Sequence, residues 1–274
     1  MRTVSVQGID VPAFIYGTAW KEEQTEVLVR EALAAGFRAI DTANQRKHYF
    51  EAGVGAAISG FPREQLFLQT KFTYVEGQDQ RLPYDPHVDY PAQVRQSFAS
   101  SLEHLGVETI DSYVLHGPRT QRGFSEGDRQ VWKTMEALQR EGRTRLIGAS
   151  NMTAGQVTAL CEIAAVKPAF IQNRCYARLG WDRAVRDVCR REGIVYQGFS
   201  LLTANMMELH SRVIHDIAER HRTSATSVIF AFALHVGMIP LTGTTDPQHM
   251  REDLAALDLE LSDDEAREIE TISG

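Results

Sequence analysis

No long apolar run occurs in this sequence. None approaches the ~18 residues that a membrane span needs, so a membrane protein is not expected. The opening residues, MRTVSVQGID, lack the apolar core of a secretory leader. Cysteine is scarce. Cys161, Cys175 and Cys189 are odd in number and lack metal-ligand spacing. They argue against a disulfide framework and fit a reducing cytoplasm. Basic residues do not dominate either: 29 Lys and Arg face 36 Asp and Glu, a net charge of −7. An acidic surface repels phosphate backbones, which argues against nucleic-acid binding. No strand-to-helix turn carries a GxGxxG fingerprint. The nearest approach, GVGAAI at 53–58, fails at its third glycine and reads as helix packing. Among the histidines only His210 and His215 stand near each other, too little for a zinc site.

What the sequence does have is alternation. Hydrophobic residues make up 43% and charged residues 24%, a balance suited to a folded globular chain. Short apolar runs recur eight times: AFIYG (13–17), RAIDTA (38–43), LFLQTKF (66–72), IDSYVLHG (110–117), RLIGAS (145–150), AFIQNR (169–174), GIVYQGFS (193–200) and GMIPLTG (237–243). Amphipathic segments lie between them. Leu28, Ala32 and Ala35 share a helix face ahead of Gly36, and Val94, Phe98, Leu102 and Leu105 do so ahead of Gly106. Val131, Met135 and Leu138 form a third stripe, and Thr153 with Gln156 predicts a capping box. Eight units of about 34 residues predict a (β/α)8 barrel rather than an open doubly wound sheet. Residues 1–12 predict a hairpin at the barrel bottom. No linker divides the chain, so one domain over 1–274 is expected. Residues 73–91, with three prolines, form a long loop expected to cover the mouth.

Active sites of such barrels lie at the C-terminal strand ends. There the sequence places Asp41, Lys71 and His116 on three consecutive strands, with Tyr49 in the loop after the second. A phenol has an ordinary pKa near ~10, and a neighbouring ammonium should lower it. A carboxylate beside the lysine keeps that lysine charged, and an imidazole opposite can orient a carbonyl oxygen. This set suits proton delivery during hydride addition to a ketone or aldehyde. It requires the Tyr49 phenol to lie within hydrogen-bond reach of Lys71 and to face His116 on one rim. Ser150, Asn151 and Gln172 supply groups able to pair with an amide ligand, and Phe199 a flat surface for stacking. A second reading makes Lys71 a Schiff-base lysine.

At these residues the chain resembles the aldo-keto reductase family. GFRAIDTAN, LQTKF, QVRQSFASSLEHLGVETIDSYVLHGP, LIGASN, PAFIQN and GFSLL occur in family order and spacing over nearly the whole chain. The resemblance implies a (β/α)8 barrel that reduces small carbonyl compounds with NADPH or NADH, as a monomer or weak oligomer. It also admits a cofactor-binding sensor with little turnover. By position, Tyr49 would donate the proton, Lys71 and Asp41 would tune it, and His116 would orient the substrate. Ser150, Asn151 and Gln172 would hold the carboxamide, and Phe199 would stack under the nicotinamide. Ser200, Leu201, Thr242, Gly243 and Thr244 would line the pyrophosphate and ribose path. Glu252 and Asp253 would lie near adenine, and Trp20 and Gly117 in the substrate pocket.

Departures from the family pattern bear on several of these roles. Tyr49 stands eight residues after Asp41 instead of the usual five, with Arg46 at the customary position. Tyr49 is nonetheless the only tyrosine of that loop, ahead of Glu51, and some members carry a similar insertion; His48 is the alternative. Phe199 replaces the usual stacking tyrosine. Leu241 replaces the lysine that holds the 2′-phosphate in many members, with His249 and Arg251 nearby. NADPH is therefore the expected cofactor and NADH the alternative. Helices are expected over 247–256 and 262–272, and a long C-terminal loop is not expected. Trp181 is a candidate ligand contact in the loop after the sixth strand.

Overall fold

The computed structural model describes residues 2–273. Strands β1 (Thr3–Val6) and β2 (Ile9–Pro12) form an antiparallel hairpin. Its two turn residues, Gln7 and Gly8, both have positive φ (48° and 81°), the geometry whose twist matches that of the flanking strands. Eight parallel strands follow: β3 (Ile15–Gly17), β4 (Ala39–Asp41), β5 (Phe67–Phe72), β6 (Ile110–Leu115), β7 (Thr144–Ser150), β8 (Phe170–Arg174), β9 (Val195–Phe199) and β10 (Met238–Thr242). They close into one ring in chain order, with Leu241 of β10 opposite Ile15 of β3. The expected (β/α)8 barrel with an N-terminal hairpin is the fold observed.

The outer helices are α1 (Thr25–Ala35), α2 (Glu51–Ile58), α3 (Tyr90–Leu105), α4 (Glu126–Arg140), α5 (Ala154–Ile163), α6 (Arg183–Glu192), α7 (Met206–Leu209), α8 (Arg212–His221), α9 (Ala225–His235), α10 (Pro247–Ala255) and α11 (Asp263–Glu270). Local chemistry sets their ends. The capping box of Thr153 and Gln156 opens α5, and a second, Ser125 with Asp128, opens α4. Gly106 stops α3 in the left-handed conformation. The glycines of GVGAAI serve packing: a Cβ on Gly55 would lie 2.1 Å from the His104 carbonyl oxygen, so α2 and α3 can cross this closely only without one.

Val6 and Val11 of the hairpin pack on Ala39, Phe67 and Ala169, at the starts of their strands. This plug covers the N-terminal end, opposite the strand ends that carry Asp41 and Lys71. No residue of the 73–91 segment lines the cleft that opens at those strand ends. Arg81, Leu82 and Pro83 instead line a smaller cleft with Tyr49 and Phe50, and Tyr84 is buried with its hydroxyl donating to the Thr73 carbonyl (2.8 Å). The loop buttresses the wall behind Tyr49. Trp181 is likewise no ligand contact. It is fully buried, and its Nε1 donates to the Ile269 carbonyl (2.9 Å), fastening α11 to the barrel. Among the described residues, no helix is long and apolar enough to cross a membrane.

Candidate active site

A cleft of about 390 Å³ opens at the C-terminal strand ends. Its charged floor is built by β4 and β5. Lys71 and Asp41 are both buried, with Nζ 2.6 Å from Oδ2 and a second bond from Nζ to the Thr42 carbonyl (2.7 Å). The other carboxylate oxygen, Oδ1, accepts from the side-chain amides of Gln69 (2.8 Å) and Gln172 (3.0 Å). Burial pulls the lysine's pKa down, and Asp41 opposes that pull. Two of the three ammonium protons are committed, which leaves one for a group above.

Tyr49 is that group's neighbour. The insertion folds as a single turn, in which the Tyr49 N–H returns to the Gln45 carbonyl (3.0 Å). This turn brings the ring back to the rim in spite of the eight-residue spacing. The Lys71 ammonium lies 5.0 Å from the ring centroid, and the His116 ring meets it edge-on at 5.8 Å. No direct hydrogen bond joins the phenol to Lys71; the ammonium's two partners are Asp41 Oδ2 and the Thr42 carbonyl. The phenol's pKa is raised, not lowered as nearest-charge reasoning suggests. Burial is the main cause, Asp41 adds to it, and Arg174 opposes it. His48 packs against exposed Trp20, with the rings tilted and their centroids 3.9 Å apart. Arg46 pairs with Glu23 on the outer surface (2.7 Å).

On the third side, His116 Nδ1 is held by the Thr73 hydroxyl at 2.7 Å. Burial first, then Lys71 and His48, push its pKa down to about 3, so the ring is neutral. Asn151, in the left-handed conformation (φ 55°), donates from Nδ2 to the His116 carbonyl (2.7 Å) and to Ser150 Oγ (3.2 Å). Ser150 Oγ in turn donates to the Gln172 carbonyl (2.6 Å). Phe199, Ser200, Leu201, Thr242, Gly243 and Thr244 complete the cleft wall with these residues. Asp253 is turned inward, where its carboxylate accepts from Thr242 Oγ1 (2.7 Å); burial raises its pKa to about 6. Glu252 is held by Gln248 on the outer side of α10 (2.8 Å). Gly117 sits beside Asn151, off the cleft wall.

The sequence profile of the Aldo/keto reductase family matches residues 14–273. The chain belongs to this family. The glyoxal reductase of Bacillus subtilis is 29% identical, over 97% of this chain and 90% of its own length. An aldo-keto reductase of Mycolicibacterium smegmatis is 31% identical, over 88% and 81%. The crystal structure of an aldo/keto reductase from Brucella melitensis superposes with a TM-score of 0.85 and 26% identity, covering 100% of this chain and 98% of that one. A Bombyx mori aldo-keto reductase solved with NADP shares the fold at a TM-score of 0.82 and 22% identity, over 98% and 92%. This aldo-keto reductase is accordingly an NAD(P)H-dependent oxidoreductase.

Several site residues of this aldo-keto reductase escape sequence reasoning. Thr73 lies just past β5 and meets His116 because the two follow the paired residues Phe72 and Leu115 of β5 and β6. Buried Lys21 donates to the Gly243 carbonyl (2.6 Å), and its pKa is lowered to about 8 by burial. Buried Asn205 clamps the loop after β9, with Nδ2 donating to the Cys175 and Leu201 carbonyls (2.9 and 2.8 Å). Gln69 and Gln197 did leave a signal: each is an amide inside an apolar run, two positions before a residue expected at the site.

Proposed function

We propose that this enzyme reduces an aldehyde or ketone to the alcohol, with Tyr49 as proton donor and NADPH in the cleft. The observation that carries this reading is the convergence of Tyr49, His116 and the Lys71–Asp41 pair on one rim. Burial keeps the Tyr49 phenol protonated at neutral pH, the state a donor needs. With Nδ1 of neutral His116 occupied by Thr73, its Nε2 is the nitrogen left to hold a carbonyl oxygen beside that phenol. The Lys71 ammonium, 5.0 Å from the ring centroid and partly compensated by Asp41, would weakly stabilise the phenolate that donation leaves behind.

The polar groups of the cleft fit a nicotinamide carboxamide. Among the described residues Gln172 Oε1 has no hydrogen-bond partner, and the Ser150 hydroxyl proton is already spent, so both offer acceptors to an amide N–H2. Asn151 can turn the proton of its 3.2 Å contact toward an amide oxygen. When bound, the nicotinamide supplies the hydride. Leu241 offers no charge to a 2′-phosphate; exposed Arg251 on α10 is the cation we assign to it. A Schiff base on Lys71 is disfavoured because its Nζ is buried and engaged below the cleft.

The test is NADPH oxidation against a panel of aldehydes, ketones and sugars. Tyr49→Phe should lower kcat by at least ~100-fold while cofactor affinity persists. A Tyr49→Phe variant that turns over like the parent would reject Tyr49 as donor.

A further inference from the structure

Below the cleft, the barrel interior holds a layer of amides where branched apolar residues are usual. Gln69 on β5 and Gln197 on β9 are buried and exchange two hydrogen bonds across the barrel. Gln69 Nε2 donates to Gln197 Oε1 (2.8 Å), and Gln197 Nε2 donates to Gln69 Oε1 (3.2 Å). Ser112 Oγ also donates to Gln69 Oε1 (2.8 Å). The layer touches both parts of the site. Gln69 Nε2 reaches Asp41 Oδ1 (2.8 Å), and Gln197 Oε1 accepts from Gln172 Nε2 (3.0 Å).

The direction of each amide follows from one fact: a carboxylate only accepts. Gln69 and Gln172 must both turn Nε2 to Asp41. Gln197 must then present its oxygen to those two NH2 groups and its own NH2 to Gln69 Oε1. Reversing any one sets like groups against each other in a buried place, where an unmet polar group is costly. Both N–H bonds of Gln172 are consumed beneath the cleft, toward Asp41 and Gln197. Only its oxygen faces what binds above.

We propose that Gln197, supported by Gln69, is a positioning residue for cofactor recognition. It locks Gln172 as an obligate acceptor, so that the site reads the carboxamide through its N–H2 group. This inference rests on the cofactor reading above. Asp41 alone anchors one Gln172 proton; Gln197 takes the other and stops the amide from turning that proton toward the ligand.

The test compares dissociation constants of NADP+ and its 3-acetylpyridine analogue, in which a methyl replaces the NH2, by calorimetry and without turnover. The parent enzyme should prefer NADP+ by about ten- to a hundredfold, the value of two neutral hydrogen bonds, to Gln172 Oε1 and Ser150 Oγ. Gln197→Met should cut that preference about threefold without lowering occupancy of the folded state, and should change nothing further in a Gln172→Met background. Gln69→Met reads the same coupling from the other side should Gln197→Met fail to fold. An unchanged preference in the folded variant, or no preference in the parent, overturns the inference while leaving the cofactor reading intact. Failure of the parent to bind either nucleotide sinks the cofactor reading and this inference with it.

Discussion

Removing the lysine of the buried pair separates its structural role from its chemical one. In Lys71→Met the thioether fills most of the space of the lysine stem, so little cavity results. Asp41 loses the ammonium at 2.6 Å and keeps only the Gln69 and Gln172 amides on Oδ1. Removing one member of a buried pair typically costs about 3–5 kcal/mol, because the partner charge is left in a poor solvent. The two retained amide bonds place the expectation near the lower end, ~3 kcal/mol. That is a large share of a stability of about 5–15 kcal/mol. The cost belongs to the ionised carboxylate and therefore depends on pH. In the variant, the folded chain should bind the Asp41 proton more tightly than the unfolded chain. The penalty is then full at neutral pH and fades toward about pH 4, where the unfolded carboxylate is itself protonated. Asp41→Asn together with Lys71→Met should recover at least half of the loss, since an amide at 41 still accepts from both glutamines and carries no charge. Urea unfolding of the parent, single and double variants at pH 7.5 and near pH 4.5 reads all of this. A single variant within about 1 kcal/mol of the parent at pH 7.5, or a penalty independent of pH, would refute the electrostatic account. The double variant should fold and yet remain inactive.

Two further outcomes are expected. Thr73→Val should leave cofactor affinity unchanged and lower kcat about tenfold, the effect of losing the bond that orients His116; Thr73→Ser should restore it, and steady-state kinetics decide. Asp253 has its pKa raised to about 6 by burial, so the parent loses stability as pH rises from about 4 to 6. Asp253→Asn, which keeps an acceptor for Thr242, should match the parent near pH 4 and exceed it by about 1–2 kcal/mol at pH 8 in thermal or urea melts.

Periodicity made the barrel legible. Seven of the eight apolar runs contain their observed strand whole and the fifth misses only its first residue, Thr144; Asp41 is the last residue of its strand and Lys71 the last but one, with His116 the first residue beyond the next. Those three were readable because strand alternation and strand ends are local properties. The amide layer was half readable. Gln69 is two before Lys71 and Gln197 two before Phe199, so each shares its neighbour's face of the sheet. Their pairing across the barrel is set by closure of the ring, which no local pattern carries. Trp181 misled for a related reason: its loop is at the correct end of the barrel, and only the packing of α11 turns the indole inward.

The raised pKa of Tyr49 shows what nearest-charge reasoning omits. Counting Lys71 alone predicts an acidified phenol. That ammonium, however, is already compensated by Asp41 at 2.6 Å, and the carboxylate itself pushes the phenol's pKa up. From the phenol the pair resembles a dipole more than a cation, so the field it exerts is weak and desolvation prevails. The consequence bears on direction. Under the role proposed for Tyr49, carbonyl reduction would draw on a phenol already protonated at neutral pH, whereas alcohol oxidation would require a phenolate that burial disfavours. With Tyr49 as the transferring group, the oxidative reaction should therefore need more alkaline conditions than the reductive one.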